Sequence, residues 1–266
     1  MGAVAVGPGA VERARAWIRS ARLSAGCWGY RIGGAPHGEP SLLVTAALGE
    51  PAAALPCASM DPRELRLAPL LLRRCPTTEA TRRRVEQHLL DSRSRTAWGD
   101  YGFDASIPGW SWVEGSAGWV EPTAQAVLSL RAAGLGEHPR VQQGLRFLRD
   151  RQGSDGGWNF GNPRMLGAEL ESYPSATAWA LLALQGLEED RGRCEEALDW
   201  LSQGDALPSS MSLSTLILAR QAHGRPREAA PERLAARQAP DGSFFQRVDV
   251  TALAVLALSG SRALQV

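Results

Sequence analysis

Val141-Gln-Gln-Gly-Leu-Arg-Phe147-Leu148 runs through Arg151-Gln152-Gly-Ser-Asp155-Gly-Gly157-Trp158-Asn-Phe160 to Tyr173-Pro174-Ser175-Ala-Thr177-Ala-Trp179-Ala-Leu-Leu-Ala-Leu184-Gln-Gly186. The first stretch is apolar at helical spacing, the second is a glycine-rich turn closing on aromatics, and the third is a helix built almost wholly of Ala and Leu. Together they make one helical hairpin, and the same plan recurs along the chain.

Near the N-terminus, Trp17 and Trp28 are eleven residues apart, as are Phe147 and Trp158. There Gly26-Cys-Trp28-Gly-Tyr30 is the turn and Pro40-Ser41-Leu-Leu-Val-Thr-Ala-Ala-Leu48 the second helix. Gly109-Trp110-Ser-Trp112 precedes Pro122-Thr123-Ala-Gln-Ala-Val-Leu-Ser-Leu130, and Gln238-Ala-Pro-Asp241-Gly-Ser-Phe244 precedes Thr251-Ala-Leu-Ala-Val-Leu-Ala-Leu258. The turn anchors Trp28, Trp110, Trp158 and Phe244 lie 82, 48 and 86 residues apart, so each long gap has room for one further, degenerate unit. Ala197-Leu-Asp-Trp200-Leu with Ser212-Leu-Ser-Thr-Leu-Ile-Leu218 supplies one; the other falls around Glu64 to Leu72, within 60–80, where Pro62 and Pro69 obscure it. Six hairpins in a single domain spanning residues 1–266 would close a ring: an all-α, (α/α)6-type toroid. An open solenoid of the same hairpins is the alternative.

The residue chemistry of each unit supports two concentric layers. The Ala/Leu helix is apolar round most of its circumference and calls for burial on several sides, as an inner helix has. Its partner carries Arg and Glu on one face and suits an outer position. Pro followed by Ser or Thr at the start of the inner helix is expected to cap its free N–H groups. The Gly-Gly-Trp turn allows positive φ and then covers a helix end with an aromatic ring.

Composition removes several kinds of chemistry. The formal net charge is +1 and no lysine appears, which argues against nucleic-acid partners and excludes Schiff-base, Walker-lysine and Ser/Lys mechanisms. The four cysteines, Cys27, Cys57, Cys75 and Cys194, form no Cys-x-x-Cys pair, and the four histidines are scattered, so neither a metal nor a cofactor is implied. The N-terminal Met1-Gly-Ala-Val-Ala-Val-Gly does not read as a signal peptide, and no apolar run reaches membrane-spanning length. The expected setting is cytoplasmic and reduced.

Gln152-Gly-Ser-Asp155-Gly-Gly-Trp158 resembles the Gln-Trp repeat of squalene and oxidosqualene cyclases, and related turns occur in the β subunits of protein prenyltransferases. The resemblance covers most of the chain, and it implies the toroid more than any one reaction. In that superfamily reactive groups lie near the starts of inner helices, inside a central cavity. Class II cyclases carry Asp-x-Asp-Asp before the helix hydroxyl, and its middle carboxylic acid protonates an alkene or epoxide. Here Arg247-Val-Asp249-Val-Thr251 puts Asp249 on the middle aspartate and replaces its flanking acids by Arg247 and Val250. A guanidinium so near favours the ionised carboxylate, which is the wrong state for a proton donor. The zinc prenyltransferase pattern is also incomplete: Asp241-Gly-Ser243 has serine for the ligand cysteine, no histidine follows, and no Asp-Asp-x-x-Asp cluster exists for diphosphate ionisation.

Glu39, Glu121 and Asp249 each stand two residues before a helix-starting hydroxyl, so a closed ring would gather them at one mouth. They read either as an acidic rim that handles a cation or as acids placed favourably on helix dipoles. Asp249 and Glu121 are the catalytic candidates. Trp112, Trp119, Tyr173 and Glu39 are the substrate-binding candidates, since aromatic faces steady positive charge. Trp110 occupies a staple position and reads as structural. Asp104, four residues after Asp100 in a Gly-rich loop, raises a glycosidase-like pair, with a solvated loop as the simpler account. The leading functional expectation is an isoprenoid-handling, terpene cyclase- or prenyltransferase-like protein with an apolar central cavity. It would bind a hydrophobic isoprenoid-like molecule or a protein partner, with peripheral membrane contact open. The alternatives are a non-catalytic scaffold toroid and a carbohydrate-active toroid.

Overall fold

The computed structural model describes residues 8–50, 66–73, 77–99, 101–203, 209–227 and 229–266. Among them are eleven α-helices: α1 (Pro8–Ser20), α2 (Gly38–Leu48), α3 (Ala68–Leu72), α4 (Glu79–Asp91), α5 (Val120–Ala132), α6 (Pro139–Asp150), α7 (Pro174–Leu184), α8 (Arg191–Gln203), α9 (Ser210–Ala222), α10 (Ala230–Ala235) and α11 (Val248–Leu258). The sole sheet among the described residues is a hairpin of β1 (Arg164–Met165) and β2 (Ala168–Glu169), inserted between a repeat turn and α7. The sequence reading contained no counterpart for it.

Six of the helices close a ring. α2 packs on α3, α3 on α5, α5 on α7, α7 on α9, α9 on α11, and α11 returns to α2. These are the Ala/Leu helices, and every residue of α11 is buried, as are residues 176–184 of α7. The more polar α1, α4, α6, α8 and α10 pack outside them. The charged face of α4 shows why they sit there: Arg82 and Arg83 pair with Glu79 in solvent while Val85 and Leu89 turn inward. The segment preceding α3 lies outside the described residues, as do Glu64, Asp100, Cys57 and Cys75.

The repeat residues hold each hairpin together, with one difference from expectation. Inner helix α9 is capped by a serine, the Ser209 hydroxyl accepting from the Ser212 N–H at 3.0 Å, but α2, α5, α7 and α11 begin earlier than Ser41, Thr123, Thr177 and Thr251, so these hydroxyls sit one turn inside and do not cap. His37, Trp119, Tyr173 and Arg247 occupy the N-cap positions, and none of their side chains makes a capping bond. The hydroxyls instead accept from the backbone N–H of the turn anchor: Trp28 to Ser41 at 3.0 Å, Trp110 to Thr123 at 2.9 Å, Trp158 to Thr177 at 2.9 Å and Phe244 to Thr251 at 3.0 Å. At the other end of each tryptophan, the indole N–H donates to a carbonyl at the end of an outer helix: Trp28 to Ile18, Trp110 to Leu89 and Trp158 to Leu148, at 2.8, 3.0 and 2.7 Å. One aromatic residue thus satisfies an orphan carbonyl of the outer helix and bonds the start of the inner one.

The glycines divide two tasks. Gly156 takes a φ of 87°, whereas a Cβ on Gly157 would come within 2.5 Å of the Ser172 Cβ. The glutamine of the repeat ties neighbouring units. Gln152 donates to the Gly156 carbonyl at 2.7 Å and to Arg193 of α8 at 3.3 Å. Gln238 repeats this in the last unit, donating to Gly242 at 3.0 Å and to Ala10 of α1 at 2.8 Å. The last turn therefore packs on the first outer helix just as an interior turn packs on its successor. This is what separates a closed ring from an open solenoid.

Candidate functional site

The N-termini of the inner helices and the turns before them share one end of the ring, and the candidate residues gather there in two groups. Glu39, Glu121 and Asp249 all occupy the second position of their helices, α2, α5 and α11; α7 has Ser175 at that position. In ring order α5 stands opposite α11, so Asp249 and Glu121 face each other across the mouth and do not form one acid pair.

The first group spans the join of α11 and α2. Arg247 donates to both carboxylate oxygens of Asp249, from Nε at 2.9 Å and from Nη2 at 2.6 Å. Its guanidinium carbon lies 5.3 Å from the centre of the Tyr30 ring, and the Tyr30 hydroxyl donates to Glu39 at 2.7 Å. The hydrogen bonds and charge of Asp249 hold Arg247 above its usual range, with Tyr30 and Glu39 adding to it. A buried carboxylate gripped through both oxygens acts as an acceptor, so this group is an electrostatic clasp.

The second group surrounds α5 and α7. Glu121 accepts a hydrogen bond from the Ser175 hydroxyl at 2.6 Å. Burial raises its pKa above the usual carboxylate range, against the opposing pull of the Ser175 hydrogen bond and of the Arg66 charge. Arg66 is itself buried, donates to Gln125 at 3.1 Å and stacks 4.4 Å from the Trp112 ring centre. Glu121 is therefore a rim carboxyl whose proton affinity burial raises.

Beside Glu121 runs an aromatic wall. Phe160 and Tyr173 stack with ring centres 4.6 Å apart, and Trp119 tilts against Phe160 at 6.0 Å. Backbone bonds fix the three rings: Trp119 N–H to Trp110 O at 3.0 Å, Val120 N–H to Phe160 O at 2.9 Å, and Tyr173 N–H to Trp158 O at 2.8 Å. The wall borders a cavity of about 540 Å³, completed by Asn159 and by Met165 and Leu170 of the hairpin segment. A second cavity, also about 540 Å³, opens between Arg66, Trp112 and the end of α4. The backbone bridge between Trp110 and Trp119 closes the loop whose residues line both cavities.

The structure thus places Trp119 and Tyr173 on one cavity and Trp112 on the other, with Glu39 and Asp249 across the mouth; Glu121 lines neither cavity and is held by Ser175, two residues after Tyr173. Sequence reading missed Phe160, Ser175, Arg66 and Tyr30 as members of the rim. Phe160 and Tyr30 belong to the quoted turns, two residues beyond Trp158 and Trp28, and Ser175 would have emerged from aligning the second position of every inner helix. Arg66 carried no signal, because its unit is the worn one. Asp104 accepts from the Ser106 backbone N–H and hydroxyl, which hold it below the usual carboxylate range. Its suggested partner, Asp100, lies outside the described residues. Among the described residues no cluster of three His, Cys, Asp or Glu side chains could hold a metal ion. No helix there is long and apolar enough to cross a membrane.

Comparison with known proteins gives fold likeness only. No family model and no curated protein matches the chain. Among solved structures it is similar to the type II terpene cyclase MstE from Scytonema in its apo form, at 16% identity and a TM-score of 0.42, covering 96% of this chain and 97% of that one. A variant of that enzyme in complex with geranylgeranyl dihydroxybenzoate, its substrate, matches with the same identity and TM-score, covering 96% of each chain. The ent-copalyl diphosphate synthase from Streptomyces platensis matches at 18% identity and a TM-score of 0.49, over 95% of this chain and 50% of that one.

Proposed function

We propose that residues 1–266 form one toroidal unit that binds an isoprenoid-like hydrophobic molecule at the mouth of the ring, with Glu121 as its working carboxyl. The observation that carries this reading is the aromatic wall of Trp119, Phe160 and Tyr173 on a cavity of about 540 Å³, tied through Ser175, two residues after Tyr173, to a carboxyl whose proton affinity burial raises. That volume lies within the range of small-molecule sites, which are mostly apolar with a few placed polar groups. A protonated Glu121 beside an alkene is the arrangement that proton-initiated cyclisation requires. Asp249, clasped by Arg247, shapes the rim and does not supply the proton. A reduced cytoplasmic setting suits the two buried free thiols, Cys27 and Cys194.

The test is incubation of the purified chain with linear prenyl alcohols and polyprenes, followed by product separation, for wild type, Glu121→Gln and Asp249→Asn. The reading expects a cyclised product that is lost in Glu121→Gln and retained in Asp249→Asn wherever that variant folds. Loss in Asp249→Asn alone would overturn the assignment. A second reading, a scaffold toroid that binds a protein partner, is favoured by one observation: the Asp249–Arg247 clasp leaves the position resembling the cyclase acid without a free oxygen. Prenyl binding without turnover in all three proteins would support it.

A further inference from the structure

The cavity beside Trp119 has a charge character that a site for a purely neutral hydrocarbon does not need. One side is the aromatic wall, whose rings Trp119, Phe160 and Tyr173 remain 38%, 45% and 44% exposed. The lining also includes two carboxylates, Glu169 of β2 and Glu171 just after it. Glu169 pairs with Arg164 and accepts from Ser154 at 3.1 Å, whereas Glu171 is exposed at the cavity edge. The lining includes neither arginine nor histidine. The one polar side chain buried in the wall, Asn159, is spent internally: it donates to Asn162 O at 2.7 Å and accepts from the N–H groups of Gly161 and Asn162.

Each class of occupant can be weighed against that lining. An anionic head group would meet Glu171 and the Arg164-paired Glu169, with no arginine or histidine in the lining to receive it, so it is disfavoured. A neutral polar ligand would find one buried polar side chain, Asn159, whose oxygen and one amide hydrogen are already engaged. A cation with an apolar body is attracted both by the negative faces of the rings and by the carboxylates. The apolar residues Met165 and Leu170 then cover its chain.

We propose that this cavity is a binding site for a small-molecule alkylammonium, its charged nitrogen between the Trp119–Phe160–Tyr173 wall and Glu169/Glu171. This deepens the proposed function by assigning a positive charge to the end of the ligand that rests on the aromatic wall, and it rests on that reading for the apolar chain. Calorimetric titration with decyltrimethylammonium, kept below its micelle concentration, tests it against two controls: a neutral isostere with a tert-butyl terminus, and decyl phosphate. A neutral prenyl alcohol is titrated in parallel.

The ammonium is expected to bind roughly tenfold more tightly than its neutral isostere, the gain of a partly desolvated cation–π contact, and decyl phosphate more weakly than either. Glu171→Gln, a change at an exposed residue, should reduce the ammonium preference about two- to threefold, and Trp119→Leu should abolish most of it. Equal affinity for ammonium and isostere, stronger binding of the phosphate, or no binding of the ammonium would each overturn the proposal. Prenyl alcohol binding without ammonium preference would sink this inference and leave the broader reading standing. Ammonium binding without any prenyl alcohol binding would do the reverse.

Discussion

Replacing Thr177 by valine removes one oxygen from the most complete repeat unit while nearly preserving shape. Thr177 and Trp158 are both fully buried, and the Trp158 N–H donates to the threonine hydroxyl at 2.9 Å. The hydroxyl returns a bond to the Trp158 carbonyl at 3.2 Å, an acceptor also used by the Tyr173 N–H at 2.8 Å. Valine therefore leaves the carbonyl paired and the N–H orphaned. An unsatisfied buried donor costs about 1–3 kcal/mol, so a loss near 2 kcal/mol is expected. For a chain of this size that corresponds to a fall in melting temperature of roughly 4–8 °C. Urea denaturation followed by tryptophan fluorescence and by circular dichroism measures it, with Thr177→Ser as the control that keeps the oxygen. The serine variant loses only a methyl group, about 1 kcal/mol. If Thr177→Val unfolds within about 0.5 kcal/mol of wild type, or if serine is the worse of the two, the hydroxyl is not the bond that joins turn to helix.

Three further outcomes follow from the same contacts. Burial lifts the proton affinity of Glu121, so the folded state holds its proton over a pH range where the unfolded chain has released it; the associated stability is present below the unfolded value and is lost as pH rises through the folded one. Glu121→Gln should therefore lose less stability than wild type as pH rises above 4.5, read from urea midpoints at a series of pH values. Asp249→Asn removes the charge gripped by Arg247 at 2.6 and 2.9 Å and should cost about 1–2 kcal/mol, discounted because the guanidinium is partly exposed, with the loss shrinking in high salt. Gly242 sits at φ 93° with a Cβ position only 2.5 Å from the Arg13 carbonyl, so Gly242→Ala should lose at least about 1–3 kcal/mol. Hydrogen exchange should place that loss on α1 and α11.

The ring was legible because its signal is repetitive and local. The eleven-residue step from Phe147 to Trp158, the glycines that let the turn approach Ser172, and the all-round apolar helix after Pro174 each have a direct physical cause, and each recurs. What stayed hidden depends on contacts between units. Nothing in the order Arg66, Trp112, Gln125 and Glu121 announces that a guanidinium will stack on one and charge-couple to another, because the positions belong to different hairpins. The Arg247–Asp249 clasp was visible from a two-residue spacing. The matching bond from Ser175 to Glu121 spans 54 residues and was not. Pro-Ser and Pro-Thr favour capping locally, yet Ser41 and Thr123 lie one turn inward because the buried anchor N–H needs them as acceptors, and Ser175 turns to Glu121 instead. The hairpin at Arg164–Glu169 escaped notice because strands of two residues leave no periodicity to read.

The gathering of Glu39, Glu121 and Asp249 at one mouth depends on ring closure, and closure is tested where the first and last units meet. Arg13 on α1 donates to Gln238 in the last turn at 2.6 Å, across 225 residues of sequence. Arg13→Cys and Gln238→Cys, placed in a background with the four native cysteines replaced by serine, should be joined in the monomer by a short bis-maleimide. Digestion should then release one cross-linked peptide containing both α1 and the turn before α11. Recovery of the two peptides unlinked, with both thiols shown to be reactive, would mean an open array of hairpins and would contradict the toroid and the mouth built on it.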